Sequence, residues 1–338
     1  MALADYRRVM LPAVEQSMQA IVEWVGGEDY RQLQEMLAYH LGWAGEGAGE
    51  KARGKRIRPL LVLLSTAAAG GKWEHAVPAA AAVELLHNFS LIHDDIEDNG
   101  DLRRGRPTVW KKWGLPQALN AGDAMFALAQ IAMLELHPPV SAELTLQASR
   151  ILHQTSLRLT QGQHLDMLFE DRAEVSVEEY WNMVEGKTAA LIAACTELGA
   201  LLAGVSDPER RAYHEFGRML GLAFQAWDDY LGIWGDSALT GKSTTGDLME
   251  RKKTLPVIYG LERAGRFAQM WRAGEPRSPE VVPLLAAALE EDGARAYTEA
   301  VTADLTNQAL AALDSAAPKG EAGRALRELV SILLRRDY

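Results

Sequence analysis

"EHAVPAAAAVELLHNFSLIHDDIEDNG", residues 74–100, decides the fold class. Pro78 suits the first turn of a helix, where its missing amide hydrogen is no loss. No breaker follows until Gly100, and the alanines and leucines between them are strong helix formers. The helix is apolar for most of its length and then ends in acid at Asp94, Asp95, Glu97 and Asp98. Base follows at once in "DLRRGRPT", residues 101–108. Acids that follow an apolar run belong at the mouth of a core rather than on a mixed surface face. Asp94 and Asp98 are four residues apart and share one helix face. Carboxylates held at about 4 Å repel by roughly 4 kcal/mol in a near-surface dielectric. Arginines offset that, and so does a hard divalent cation. Magnesium takes one or two protein carboxylates together with waters and phosphate oxygens. A solvated helix end with local salt bridges competes as a reading of this stretch alone.

Outward from this helix the chain stays helical. "SAELTLQASRILHQTSLRLTQGQHLDMLF" and "ERRAYHEFGRMLGLAFQAWDDYLGIW" carry apolar residues at helical spacing. Breaks such as "AAAGGKW", "ELHPPVS" and "RAGEPRSPE" separate helices rather than domains, and no fixed-period repeat occurs. The expectation is an all-α, single-domain helical bundle over residues 1–338, built around a central deep cavity. "TAALIAACTELGALLAGV", residues 188–205, is long enough to suggest a membrane span, but Glu197 interrupts it, so a buried core helix is expected. The N-terminus is charged where a signal peptide needs an apolar run, which points to the cytoplasm and to no stable membrane insertion. A net charge of -11 argues against a nucleic-acid partner. The single cysteine, Cys195, excludes an intramolecular disulfide and a multi-cysteine zinc site.

The acid-then-base device recurs in "LAFQAWDDYLGIWGDSALTGKSTTGDLMERKKTLP", residues 222–256. Asp228 and Asp229 follow an apolar helix; Asp236, Lys242, Asp247, Arg251, Lys252 and Lys253 come after them. If the two acidic helix ends face each other, carboxylates with a rim of cations make a metal–diphosphate clamp. A local site of that kind outweighs the acidic net charge. A third basic stretch, "GEKARGKRIRPLLVLL" (49–64), places Lys55, Arg56 and Arg58 just before an apolar helix, where anions are favoured. Two sets of phosphate-holding groups suggest two phosphorylated substrates.

In order, "GKRIRP", "LLHNFSLIHDDIED", "DLRRGRPT", "EGKTAAL", "FQAWDD", "GK" before "GD" and "RKKTLP" resemble the motifs of trans-isoprenyl diphosphate synthases. The resemblance covers roughly residues 50–260 and is nearest to geranylgeranyl diphosphate synthases. It implies an all-α prenyl synthase, a homodimer, and roughly three Mg2+ ions per active site, a metal suited to diphosphate oxygens. The implied reaction joins isopentenyl diphosphate to an allylic diphosphate. The allylic C–O bond ionises, isopentenyl diphosphate attacks C1, a proton is lost and diphosphate leaves. By the same resemblance Asp94, Asp98 and Asp228 are direct metal ligands, with Asp95 and Asp229 in support. Lys55, Arg58, His87 and Arg104 form the isopentenyl diphosphate set. Arg103, Lys187, Thr188, Gln225, Lys242 and Lys252 form the allylic diphosphate set, with Lys253 a rival to Lys252. Gln163 and Asp166 are expected to line the cavity. His87 lies two helical turns before Asp94 on nearly the same face.

The chain departs from the family where Asp-Asp-x-x-Asp is usual. "DDYLG" puts Gly232 in the fifth place, and Asp236 is a candidate to compensate through water. Product length is expected to depend on Leu86, Phe89 and Ser90, which lie eight, five and four residues before Asp94. A small residue four back with an aromatic five back resembles the geranylgeranyl (C20) type, with farnesyl (C15) or C25 as alternatives. A class I terpene cyclase is the next reading, but "GKRIRP" and "RRG" favour elongation. A head-to-head synthase would show Asp-x-x-x-Asp clusters, and a non-catalytic partner subunit of a prenyl synthase tends to lose its aspartates.

Overall fold

The alanine run forms the helix its composition requires. In the computed structural model, which describes residues 2–235, 246–273 and 280–335, the helix runs from Val77 to Glu97 with Pro78 in its first turn. The structure is all-α apart from one short hairpin among the described residues. Chain packing separates two compact units. The first takes the chain up to Ser156 with Ala194–Arg210 and Ala317–Leu326; the second takes Leu157–Ala193, Arg211–Ala316 and the chain after Leu326.

In the first unit we label α1 (Leu3–Val22), α2 (Arg31–His40), α3 (Ile57–Ala68), α4 (Val77–Glu97) and α5 (Leu115–Leu134). Helix α4 packs against α5, α3 and α1. Ala79, Ala80, Ala81, Ala82, Val83, Leu85 and Leu86 are wholly buried along it. Each buried leucine contributes about 1.5–3 kcal/mol relative to exposure. The small alanines let several helices approach one axis, so the acidic end of α4 is held by its neighbours on more than one side. Leu86, expected near the product floor, is among these wholly buried residues.

Past Asp98 the chain turns through Asn99 and forms the hairpin β1 (Leu102–Arg103) and β2 (Arg106–Pro107). Leu102 pairs with Pro107 and Arg103 with Arg106. The two turn residues, Arg104 and Gly105, have φ of 53° and 75°, as a tight primed turn needs. An arginine at positive φ is unusual, and here it carries a residue expected to bind substrate.

In the second unit the labelled helices are the part of α6 (Ala142–Glu170) beyond Ser156, α7 (Val177–Val184), the start of α8 (Ala190–Ala203), α9 (Asp207–Trp234) from residue 211 on, and α10 (Leu255–Arg263). Ile233, Leu248, Val257, Leu261, Phe267, Trp271, Leu285 and Leu289 belong to one apolar core. Between α7 and α8 the backbone widens into a π-helical turn, Glu185–Ala189, the "EGKTA" of the sequence. Glycines make room for that turn. A Cβ on Gly162 of α6 would overlap the Lys187 amide nitrogen and lie 2.7 Å from Lys187 Cα. One on Gly221 of α9 would lie 2.6 Å from Ala189 Cα. The apolar stretch around Cys195 lies in the continuous helix Val177–Ala203, and 72% of its most apolar window is buried, as a core helix requires.

Candidate active site

Helix α4 delivers three aspartates in three environments. Asp94 is half-buried, Asp98 is exposed at the helix end, and Asp95 is buried. Arg103, coming back along the hairpin, donates from Nε to Asp95 Oδ1 at 2.7 Å. Burial pushes the Asp95 carboxyl upward in pKa, and Arg103 pulls the other way. Arg103, expected in the allylic set, is thus held by the aspartate expected only to support the metal.

The expected isopentenyl diphosphate set gathers in the same unit. Helix α3 begins at Ile57, so Arg58 sits inside its first turn rather than before it. Arg58 Nη1 donates to His87 Nε2 at 3.2 Å. An arginine always donates, so that ring nitrogen carries no proton. Burial, then Arg58, Arg104, Arg103 and His40, hold His87 well below its usual pKa, in agreement with a neutral ring. Arg104 donates to the Ala52 carbonyl at 2.8 Å, and its guanidinium lies over Gly54. Lys55 is exposed in the loop before α3.

Arg56, read in sequence with the same basic cluster, has a different role. It points inward, 3% exposed at its side chain, and pairs with Glu15 at 2.7 Å and Glu84 at 2.8 Å. Arg106 is likewise structural: it donates to the carbonyls of Tyr39, Ala44 and Glu46 and lies over the Tyr39 ring. Sequence reasoning missed His40, which lines a small polar pocket with Asp95, Arg103, Arg104 and Arg106. Burial and the surrounding arginines hold His40 well below its usual pKa, and its Nε2 has no partner. Phe89 packs its ring on Phe126 at 5.1 Å and on His93 at 4.8 Å, while the Ser90 hydroxyl donates to the His87 carbonyl.

In the second unit the expected allylic residues form a relay. Thr188 donates to Gln225 Oε1 at 2.8 Å, and Gln225 Nε2 donates to Asp229 Oδ1 at 2.8 Å. Asp229 Oδ2 accepts from the Tyr180 hydroxyl at 2.6 Å and from the Leu255 amide at 2.8 Å. Burial pushes Asp229 up to about 7, while the Leu255 amide, Tyr180 and Gln225 favour its charged form. Asp229 therefore ties α9 to α7 and to the first turn of α10, and leaves its half-buried neighbour Asp228 on another face of α9. Lys187, raised on the π turn, pairs with Asp166 of α6. The structure separates the two lysines that sequence left as rivals. Lys253 donates to the Glu170 carbonyl at the end of α6, where a cation satisfies a terminal carbonyl. Lys252 pairs with Glu250 at 3.1 Å. Lys242 and Asp236 lie outside the described residues.

Among the described residues no three His, Cys, Asp or Glu side chains converge on one point as a closed metal site. In the first unit Asp94 and Asp98 at the end of α4, and in the second unit Asp228 on α9, supply hard oxygen donors. Such sparse oxygen sets suit Mg2+, which completes its shell with water and phosphate oxygens.

Comparison with known proteins identifies the family. The polyprenyl synthetase family model matches residues 49–285. A (2E,6E)-farnesyl diphosphate synthase of Mycobacterium tuberculosis is 46% identical over 252 residues, 73% of this chain and 69% of that protein. A geranylgeranyl diphosphate synthase of the same organism is 41% identical over 290 residues, 84% of this chain and 82% of that protein. The crystal structure of a geranylgeranyl pyrophosphate synthase from Corynebacterium glutamicum, complexed with isoprenyl diphosphate and magnesium, superposes with a TM-score of 0.86 at 30% identity, covering 99% of this chain and 100% of that one. The match over more than half the chain places this protein in the polyprenyl synthetase family, as a prenyltransferase of the short-chain prenyl diphosphate synthase type.

Proposed function

We propose that the chain is a Mg2+-dependent geranylgeranyl diphosphate synthase that adds isopentenyl diphosphate head-to-tail to allylic diphosphates. The observation that carries this reading is the contact between Arg58 and a neutral His87, with Arg104 close enough to act on the same ring. A cyclase needs no second diphosphate site, and this one is built from a half-buried, preorganised pair. Lys55, Arg58, His87 and Arg104 hold isopentenyl diphosphate; Arg103, Lys187, Thr188, Gln225, Lys242 and Lys252 serve the allylic diphosphate. Asp94, Asp98 and Asp228 ligate the metal, and Asp95 and Asp229 fix the helix ends that carry them. Bound Mg2+ would supply Lewis-acid stabilisation of the departing diphosphate. The protein's own cations neutralise phosphate charge and orient the allylic C1 toward the isopentenyl double bond. The apolar walls exclude water from the cationic carbon.

The relatives carry both farnesyl and geranylgeranyl names, so the C20 length rests on Phe89 and Ser90. Phe89 is fixed against Phe126, while the small Ser90 leaves its own side of the helix open to chain growth. A cytoplasmic homodimer fits the exposed leucines of α5, Leu115, Leu119 and Leu134, which a second copy would cover. The test is Asp94→Ala. Loss of isopentenyl-dependent turnover with an unchanged circular dichroism spectrum is expected, and turnover within a few-fold of wild type overturns the ligand assignment.

A further inference from the structure

Gly232 stands where the family's second cluster usually has a third carboxylate, four residues after Asp228 on the same face of α9. The space its side chain would fill is not empty. A Cβ built on Gly232 would overlap Asp247 Oδ2 and lie 3.1 Å from Asp247 Cγ. Asp247 comes from a short helical turn, Gly246–Met249, anchored in the apolar core by the buried Leu248. The Lys252 amide donates to the Asp247 carbonyl at 2.9 Å, which fixes the turn from its other end. A carboxylate from one segment therefore reaches the position on α9 that a side chain at 232 would have occupied. The spacing matches the first cluster, where Asp94 and Asp98 are also one turn apart.

We propose that Asp247 takes the part of the missing third aspartate, contributing with Asp228 to the hold on a divalent cation in the second cluster. The donor chemistry fits, since both are carboxylates and Mg2+ prefers hard oxygens. Direct and water-bridged ligation give the same prediction, because either way the oxygen sits where the cluster lacks one. Gly232 is required by this arrangement. Any larger residue there would displace the Asp247 carboxylate.

This inference rests on the metal-binding role proposed for Asp228, and the experiment separates the two. Mn2+ binding would be followed by electron paramagnetic resonance in the presence of inorganic pyrophosphate, with no turnover needed. Asp247→Ala and the equal-sized Asp247→Asn are expected to weaken one class of bound Mn2+ by about tenfold or more, the range seen when groups around a metal are removed. Gly232→Asp alone forces two carboxylates into one space and is expected to weaken binding too. Gly232→Asp combined with Asp247→Ala returns the carboxylate to α9 and restores binding toward wild type. Unchanged Mn2+ affinity in both Asp247 variants, with Asp228→Asn weakened, overturns the inference and leaves the wider reading intact. Unchanged affinity in Asp228→Asn as well overturns both. Should Asp247→Ala fail to fold, Asp247→Asn gives the same decision.

Discussion

Replacing Arg56 by methionine separates a structural arginine from Arg58, the neighbour proposed to hold substrate. Arg56 Nε donates to Glu15 at 2.7 Å, Nη1 to Glu84 at 2.8 Å and Nη2 to the Leu41 carbonyl at 3.1 Å. The Arg56 and Glu84 side chains are 3% and 4% exposed. Burial alone would loosen the guanidinium proton, yet Glu84 and Glu15 hold its pKa above the usual value. In Arg56→Met an unbranched apolar stem remains, but Glu84 is left buried with Asn88 Nδ2, 3.0 Å away, as its remaining side-chain donor. Breaking one side of a buried pair costs about 3–5 kcal/mol. With an unfolding slope of about 3 kcal/mol per molar urea, the midpoint falls by roughly 1–1.7 M. Adding Glu84→Gln removes the stranded charge, so the double variant should be more stable than additivity predicts by about 1 kcal/mol or more. Arg58→Met should behave oppositely, raising the KM for isopentenyl diphosphate with a much smaller midpoint shift. An Arg56→Met protein with a wild-type midpoint and a raised KM would refute the structural role.

Three further outcomes follow from the geometry. Gly162→Ala gains about 1 kcal/mol of helix propensity but presses a methyl group into the Lys187 backbone, an overpacking worth about 1–3 kcal/mol; thermal melts should show a lower midpoint and kinetics a raised KM for the allylic diphosphate, and a stabilised enzyme with normal KM contradicts the close crossing. His40 has a folded pKa well below its unfolded one, so below about pH 6.5 the unfolded chain takes up a proton that the folded chain refuses. Stability from this group is complete above that pH and is lost with acid at up to about 1.4 kcal/mol per pH unit; His40→Gln should flatten urea-measured stability between pH 6.5 and 5.5, and an unchanged slope removes the group from the account. Ser90→Phe should shorten the product, read by mass spectrometry, and an unchanged chain length removes Ser90 from the floor.

What could be read from the sequence followed from its local character. Helix α4 is written in its alanines and in Pro78, and the separation of Asp95 from Asp94 and Asp98 follows from helical spacing. The hairpin at Leu102–Pro107 is not visible that way, because two-residue strands carry no periodicity and only Gly105 signals the turn. Arg56 and Arg58 look equivalent as letters, and what parts them is the partner waiting on each side, Glu84 for one and His87 for the other. Lys252 and Lys253 are parted in the same way by Glu250 and the Glu170 carbonyl. The π turn at Glu185–Ala189 is a one-residue widening whose cause, the close approach of Gly162 and Gly221, lies far off in sequence. Gly232 read alone is a lost ligand, and only the fold brings Asp247 over it.

Chain elongation from two diphosphates is decided by product analysis. Purified protein would be incubated with Mg2+ and isopentenyl diphosphate, and separately with the C5, C10 and C15 allylic diphosphates, and the products sized by mass spectrometry. Consumption of the allylic primer is expected only when isopentenyl diphosphate and Mg2+ are both present, with a C20 diphosphate as the main product. Hydrocarbon formed from the allylic diphosphate without isopentenyl diphosphate, or no elongation of any primer, would contradict it.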